Sequence, residues 1–350
     1  MSLFSIENIQ IAGISACVPQ REERNENYSW ISEQERKMLI KTTGVNERRI
    51  ASEKITVSDM CFAAAEKLMQ ELKWKKDEIG ILIFVSQSPD YFLPATSIIL
   101  QNRLNLPLTT LAFDINLGCS GYVYGLSVIS SFMAASGIKK GLLLAGDKST
   151  SSLNKCDKSA YPLFGDAGTA TALEFCSSEK MYFNLQSDGS GYNAIIIPDG
   201  GMRNPLSDET FKEKEIEKGI VRHRRNLWLD GLEVFNFSLR EVAPNIKKLF
   251  EFSNTSNENY DYFIFHQANL LMNESIRKKL KIEPEKVPYS LGKFGNTSSA
   301  SIPLTLVSEL QKNLNEKKLS LLLCGFGVGL SWGSVALITN KIVCSDIIEI

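Results

Sequence analysis

Cys119 lies in the stretch DINLGCSGYVYG, where an apolar strand gives way through Gly118 to a helical pattern, so its sulfur is expected at a helix N-terminus. Unpaired N–H groups and the positive end of the helix dipole favour a thiolate there, the form in which cysteine attacks. Gly118 and Gly121 permit a sharp turn and close approach of a substrate carbonyl. A small core thiol is the other use of a buried cysteine, and it fits the remaining six better than this one. His266 follows the run DYFIF and is expected at the C-terminal end of a strand, where α/β proteins keep working groups. A lone histidine there can equally be a satisfied core residue; its neighbours Gln267, Ala268 and Asn269, and the loop GKFGNTSSAS, favour the site reading. In that loop Asn296 precedes a helix, which suits an N-cap or left-handed turn residue and also a side-chain amide donor. Near the end, LLLCGFGVGLSWGS sets Gly325, Gly327, Gly329 and Gly333 after a strand. It lacks the Lys and Ser/Thr of a phosphate-binding loop and leads into a strand, so it is neither a Walker A nor a dinucleotide fingerprint. What remains is a loop of exposed backbone N–H groups, fit for an oxyanion hole. His223, in VRHRRN, reads as a solvated residue.

The elements that must position these groups are legible as a pattern. Short runs of Ile, Val, Leu and Phe alternate with amphipathic stretches, the mark of an α/β protein with buried strands. ILIFV at 81–85 overlays DYFIF, LLLAG at 142–146 overlays LLLCG at 321–325, and Gly118-Cys119 overlays Gly295-Asn296, each at an offset of about 180 residues. The expected organisation is a duplicated unit, with residues 1–178 carrying Cys119 and residues 179–350 carrying His266 and Asn296. Chance likeness among apolar strands is the competing explanation. The stretch after Cys119 keeps helical spacing to Gly137, a C-cap residue, and the stretch after Asn296 is equally helical. Apolar on most faces, both helices belong in a buried layer between sheets. Residues 202–228 break the rhythm: charged and irregular, they read as a linker or surface flap inserted over the site.

Composition removes several classes of function. With 39 Lys and Arg against 40 Asp and Glu, a net charge of −1 offers no global attraction to nucleic acid or to an anionic membrane. A hydrophobic share of 43 % is enough for two ordinary cores in a chain of this length. No apolar run reaches membrane-spanning length and no leader pattern opens the chain, which points to a cytoplasmic protein. Seven scattered cysteines without a CxxC pair read as reduced thiols, and two histidines give no metal site its ligands. A thiolate and oriented dipoles need neither metal nor dissociable cofactor, and none is expected.

GCSG at 118–121, FGDAGTA at 164–170, HQAN at 266–269, GNTSSAS at 295–301 and GFGVGLSWGS at 325–334 follow in an order and spacing that resembles β-ketoacyl-acyl carrier protein synthase III over essentially the whole chain. The resemblance implies the thiolase fold, a five-layered αβαβα sandwich that dimerises, and a Cys-His-Asn triad falling on Cys119, His266 and Asn296. It implies an oxyanion hole from the backbone N–H groups of Cys119 and Val328. The implied reaction is acyl transfer to Cys119, then decarboxylative condensation with a malonyl-type thioester to a β-ketoacyl thioester. The implied partners are an acyl carrier protein and acyl thioesters, carrier-bound or on coenzyme A.

Departures from the family pattern bear on substrate. The Trp and Arg that clamp coenzyme A before TGxxER are Met38 and Thr42 in KMLIKTTGVNERR, which weighs against coenzyme A primers. The Arg after HQAN that docks the carrier is Leu271, although Arg277, Lys278 and Lys279 leave a basic face for an acidic carrier protein; an ordinary solvated helix face is the alternative. Val328 replaces a usual glycine and should narrow the pocket or re-aim its N–H. Leu93 before Pro94 stands at the substrate-tunnel gate, where Phe is usual, so a non-acetyl chain is expected to fit. An acyltransferase of the same fold, a catalytically silent partner subunit and a papain-like cysteine hydrolase are the competing functions. The hydrolase usually carries disulfides and another signature around its cysteine, and a silent partner is expected to have lost Cys119.

Overall fold

Runs that are apolar at every position fold as strands buried on both faces, and two such sheets make this protein. The computed structural model describes residues 2–350. One sheet orders β17 (Val343–Cys344), β2 (Ile9–Val18), β8 (Asp166–Phe175), β7 (Lys140–Lys148), β5 (Ile79–Val85) and β6 (Leu111–Ile115), with β18 (Ile348–Glu349) also on β2. The other orders β1 (Leu3–Ile6), β9 (Met181–Ser187), β16 (Ser331–Thr339), β15 (Leu319–Gly327) and β14 (Tyr262–Phe265). Three ribbons lie outside the sheets: β3 (Glu22–Arg24) with β4 (Glu47–Arg49), β10 (Ile195–Ile196) with β13 (Trp228–Leu229), and β11 (Lys214–Glu217) with β12 (Ile220–Arg222).

Alternation along the strands sets the layers. In β5, Ile81, Ile83 and Val85 join a central core with helices α4 (Gly121–Ser136) and α8 (Ser301–Glu316), while Leu82 and Phe84 join an outer core with α2 (Val57–Leu72) and α3 (Thr96–Arg103). In β15, Leu319, Leu321 and Leu323 face the same central core, while Leu322, Cys324 and Phe326 pack on α5 (Gly231–Ser253) and α6 (Leu270–Leu280). Helix, sheet, helix, sheet, helix: this is the expected five-layered αβαβα sandwich. The remaining helices, α1 (Glu33–Thr43) and α7 (Leu291–Phe294), flank the layers.

The ladder β2-β8-β7-β5 and the ladder β9-β16-β15-β14 have the same order and the same senses: antiparallel, antiparallel, parallel. The chain ends cross over, β1 edging the second sheet and β17 and β18 the first. Residues 202–228 differ from the expected flap. They carry the β11–β12 ribbon, and Arg222 Nε reaches Asp157 Oδ2 at 2.5 Å with side chains 7 % and 2 % exposed, so a buried ion pair anchors the segment to the first half. All seven cysteines are free thiols. Among the described residues no helix is long and apolar enough to cross a membrane.

Candidate active site

Helix α4 begins where the sequence predicts, whereas α8 begins at Ser301, beyond a short turn over Ser298–Ala300, so Asn296 lies ahead of the helix instead of directly at its start; Cys119 and Asn296 nonetheless line one cavity of about 950 Å³. Cys119 precedes Ser120, the N-cap of α4, and opens onto this cavity with His266, Asn296 and Val328. Glycines let the Gly-rich loop approach the sulfur: a Cβ on Gly327, which has φ +154°, would stand 2.9 Å from Cys119 Sγ, and one on Gly325 would stand 2.8 Å from Cys119 O. Ser331 Oγ secures the loop by donating to Val328 C=O (2.8 Å) and pairing with Ser120 Oγ (2.7 Å).

Burial pushes the Cys119 thiol up to about 11, and the Asp147 carboxylate adds to the rise. Hydrogen bonds from the Val328 backbone, the Ser298 hydroxyl and the Cys119 backbone pull the other way and lose. The expectation of a depressed pKa at the helix start therefore gives the wrong net sign for the resting protein, because desolvating a small anion outweighs the terminal dipoles. The sulfur is a thiol at neutral pH.

His266 is tied to β15 by its N–H, which donates to Cys324 C=O (2.8 Å), and its imidazole packs edge-on against Phe326. Its Nδ1 lies 2.7 Å from Ser301 Oγ, and Asn273 Nδ2 donates to its carbonyl (3.0 Å). Burial pushes the imidazole down to about 3 against an opposing backbone hydrogen bond with Ser298, so the ring is neutral across the physiological range. In the rest of HQAN, Gln267 spans Phe265 C=O (2.8 Å) and Ser290 N–H (3.0 Å), while Ala268 and Asn269 line the cavity, Asn269 also capping α6 at Met272 N–H (2.8 Å).

Asn296 is clamped by the other half of the chain. Its N–H donates to Leu163 C=O (2.9 Å) and its C=O accepts from Gly165 N–H (3.0 Å). Its Oδ1 accepts from Ser298 N–H (2.9 Å), which leaves the side-chain NH₂ for the cavity. Gly295 before it has φ +65°, and a Cβ there would stand 2.6 Å from Leu163 O.

Other predicted residues lie apart from this cluster. Leu93 is 86 % exposed and does not line the cavity of its own chain, although Tyr91 and Phe92 do. Arg277 is engaged by Glu274 (2.8 Å) and by Ile282 C=O (2.6 Å), and Lys279 Nζ donates to Leu239 C=O (2.5 Å), whereas Lys278 is exposed. The sequence reading did not single out Asp147. Its buried carboxylate accepts from Gln87 N–H (2.7 Å), Ser299 N–H (3.1 Å) and Ser299 Oγ (2.7 Å), joining loops from both halves behind the sulfur. Burial raises its pKa, with the Ser299, Gln87 and Ser298 hydrogen bonds opposing. Ser298 and Ser301 both belong to the GNTSSAS motif, yet nothing in their spacing says which touches sulfur and which imidazole.

A thiol, a neutral imidazole, an amide and backbone N–H groups around one cavity suit acyl transfer, and likeness to known proteins decides the kind. Residues 113–189 match the family model 3-oxoacyl-[acyl-carrier-protein (ACP)] synthase III, and residues 250–338 match that of its C-terminal part. The β-ketoacyl-[acyl-carrier-protein] synthase III of Clostridioides difficile is 30 % identical over 325 residues, covering 93 % of this chain and 96 % of its own. The chain belongs to the β-ketoacyl-acyl carrier protein synthase III family. The synthase III of Streptococcus mutans is 31 % identical, over 91 % of this chain and 95 % of its own. The crystal structure of the 3-oxoacyl-(acyl-carrier protein) synthase of Burkholderia xenovorans superposes with a TM-score of 0.93 at 38 % identity, covering 99 % of both chains. Family membership makes this an acyl-transferring condensing enzyme of the thiolase fold, and the papain-like alternative falls with the fold.

Proposed function

We propose that Cys119 takes an acyl group from a primer thioester and that His266 and Asn296 drive its condensation with a malonyl-type thioester. The convergence of these three side chains and the Val328 N–H on one cavity supports the reading. The Cys119 sulfur attacks the primer carbonyl, and in the tautomer whose Nδ1–H is donated to Ser301 Oγ the free Nε2 of the neutral His266 imidazole takes the thiol proton. The oxyanion is held by the N–H groups of Cys119 and Val328, the primer's thiol leaves with the proton, and an acyl-cysteine results. When Ser301 Oγ donates to Nδ1, the ring hydrogen sits on Nε2, the tautomer that donates to a thioester oxygen. With the Asn296 amide, Nε2–H holds the enolate oxygen left when the malonyl group loses carbon dioxide. The carbanion attacks the acyl-cysteine, the Cys119 sulfur departs, and a β-ketoacyl thioester two carbons longer is formed.

The partner is an acyl carrier protein. Lys278, exposed on α6, supports docking of an acidic carrier, while Arg277 and Lys279 are committed to contacts within the chain. The molecule is a homodimer, and the unpaired edge of β6 supports this, flanked by Leu108, Phe132, Phe92 and Leu93, all exposed. In a dimer Leu93 can reach the partner's cavity as the gate it does not form in its own chain. The shared strand order of the two sheets supports a duplicated unit with its boundary near residues 178 and 179.

Pre-acylated enzyme given malonyl carrier protein tests the reaction. Release of carbon dioxide with a β-ketoacyl carrier product is expected, reduced at least ~100-fold in Asn296→Ala while Cys119 still acylates. Transfer of the acyl group to an alcohol or amine without carbon dioxide release would instead make this an ester- or amide-forming acyltransferase.

A further inference from the structure

Ser298 touches Cys119, His266 and Asn296 at once. Its N–H donates to Asn296 Oδ1 (2.9 Å), its backbone hydrogen-bonds the His266 imidazole, and its hydroxyl hydrogen-bonds the Cys119 sulfur. The residue lines the cavity and is only 6 % exposed. Its φ of +51° is a left-handed conformation that serine adopts at a cost, and such backbone persists where the surroundings over-determine it. Here they do. Asn296 takes the Ser298 N–H on one side, and on the other the Asp147 carboxylate holds Ser299 N–H (3.1 Å) and Ser299 Oγ (2.7 Å). The turn sets the Ser298 hydroxyl over the nucleophile's own loop: a Cβ on Gly118 would stand 3.1 Å from Ser298 Oγ and 3.0 Å from Val328 Cγ1.

Three donors reach the sulfur, the Val328 N–H, the Cys119 N–H and the Ser298 hydroxyl. The reaction needs them in different places. When the malonyl-derived carbanion adds to the acyl-cysteine carbonyl, the carbonyl oxygen takes the negative charge and engages the N–H groups of Cys119 and Val328. Collapse of that intermediate re-forms the carbonyl, breaks the carbon–sulfur bond and leaves its electron pair on sulfur, which solvent then protonates. At that moment both backbone donors are committed to oxygen. The hydroxyl is free to turn toward sulfur. It also hydrogen-bonds the Asp147 carboxylate, which keeps Ser299 N–H, Ser299 Oγ and Gln87 N–H (2.7 Å) when the hydroxyl leaves it. Burial and the Asp147 charge both disfavour an anion on this sulfur, so its last donor matters.

Resting on the acyl-enzyme reading above, we infer that Ser298 is a further catalytic residue, whose hydroxyl donates to the Cys119 sulfur as that atom leaves the acyl-enzyme while the N–H groups of Cys119 and Val328 hold the oxygen. Its backbone serves His266 and Asn296, and its side chain serves the sulfur. Substitution separates the two contributions.

Ser298→Ala and Ser298→Gly both remove the hydroxyl, and glycine takes up a left-handed φ without strain. The first measurement is single-turnover loss of the acyl adduct from pre-acylated enzyme given malonyl carrier protein, followed by intact-protein mass spectrometry. It is expected to slow at least ~10-fold in both variants, as when one donor to developing charge is lost. The second is alkylation of unacylated Cys119 by iodoacetamide near neutral pH. It is expected to slow at least ~3-fold, because a thiolate short of one donor is rarer and its greater nucleophilicity offsets this only in part. A merely structural serine predicts the opposite sign, since a loosened turn exposes the sulfur and speeds alkylation. Condensation within ~3-fold of wild type in both variants, or slowed in Ser298→Ala and restored in Ser298→Gly, overturns the inference and leaves Cys119 as the nucleophile. Alkylation as fast as or faster than wild type in both variants overturns it too. A wild type that takes up no acyl group from any carrier-bound thioester overturns the acyl-enzyme reading itself, and the inference with it.

Discussion

Cys119 and His266 share one environment, and burial moves each toward its neutral form. A resting thiol beside a neutral imidazole differs from a thiolate–imidazolium pair in a way that alkylation detects. With the thiol held up to about 11, the rate of Cys119 modification by iodoacetamide should climb about tenfold per pH unit from 7 to 10 and show no plateau there. A plateau beginning between pH 6 and 8 would mean that the thiolate is already stabilised, and the desolvation argument would be wrong. Cys119→Ala supplies the blank for the other six cysteines. The convergence of Cys119, His266 and Asn296 on one cavity was readable from sequence because each sits near a strand end or helix start marked by glycine or by a run of apolar residues. Asp147 was not: its ties to Gln87 and Ser299 join parts of the chain that only the packed layers bring together.

Loops between elements hold the geometry, and glycine decides how closely they approach. At Gly327 a new Cβ would meet Cys119 Cβ at 2.7 Å with the backbone at φ +154°, a region closed to other residues. Gly327→Ala should lower kcat/KM at least ~100-fold by displacing the Val328 N–H, with the protein still folded by circular dichroism. Activity within a few-fold of wild type would remove Val328 from the oxyanion hole. A second element-scale device was hidden in the sequence. Fully buried Arg48 donates to Tyr161 C=O (2.5 Å), Phe164 C=O (2.9 Å) and Tyr28 Oη (2.8 Å), bracing the segment that clamps Asn296. Arg48→Met should cost about 3–5 kcal/mol in urea unfolding, because it leaves the Tyr161 and Phe164 carbonyls without their donor and Glu23 without its ion-pair partner at 3.2 Å. The sequence showed ERR as part of a family pattern, but nothing local says that its first arginine crosses to residues 161–164. The ion pair Arg222–Asp157 escaped for the same reason: residues 202–228 read as a linker or surface flap over the site, and they do reach its cavity through Arg225 and Leu227, but as an anchored ribbon.

Across the whole molecule, layer order followed from apolar runs and their spacing, since strands buried on both faces need helices on both sides. The exchange of edge strands between the sheets did not, because β1, β17 and β18 are too short to carry a pattern. The exposed edge of β6 gives a prediction at this scale. The protein should sediment at twice its 39.0 kDa chain mass, and Leu111→Lys with Phe132→Glu should yield monomers that retain helical content but lose condensation. A wild-type monomer at micromolar concentration would remove the dimer. The central claim is that acyl transfer runs through one sulfur, and intact-protein mass spectrometry after incubation with acyl-carrier and acyl-coenzyme A panels tests it most directly. The account predicts a single acyl adduct on the wild type, absent from Cys119→Ala; no adduct from any donor, or the same adduct on the variant, would contradict it.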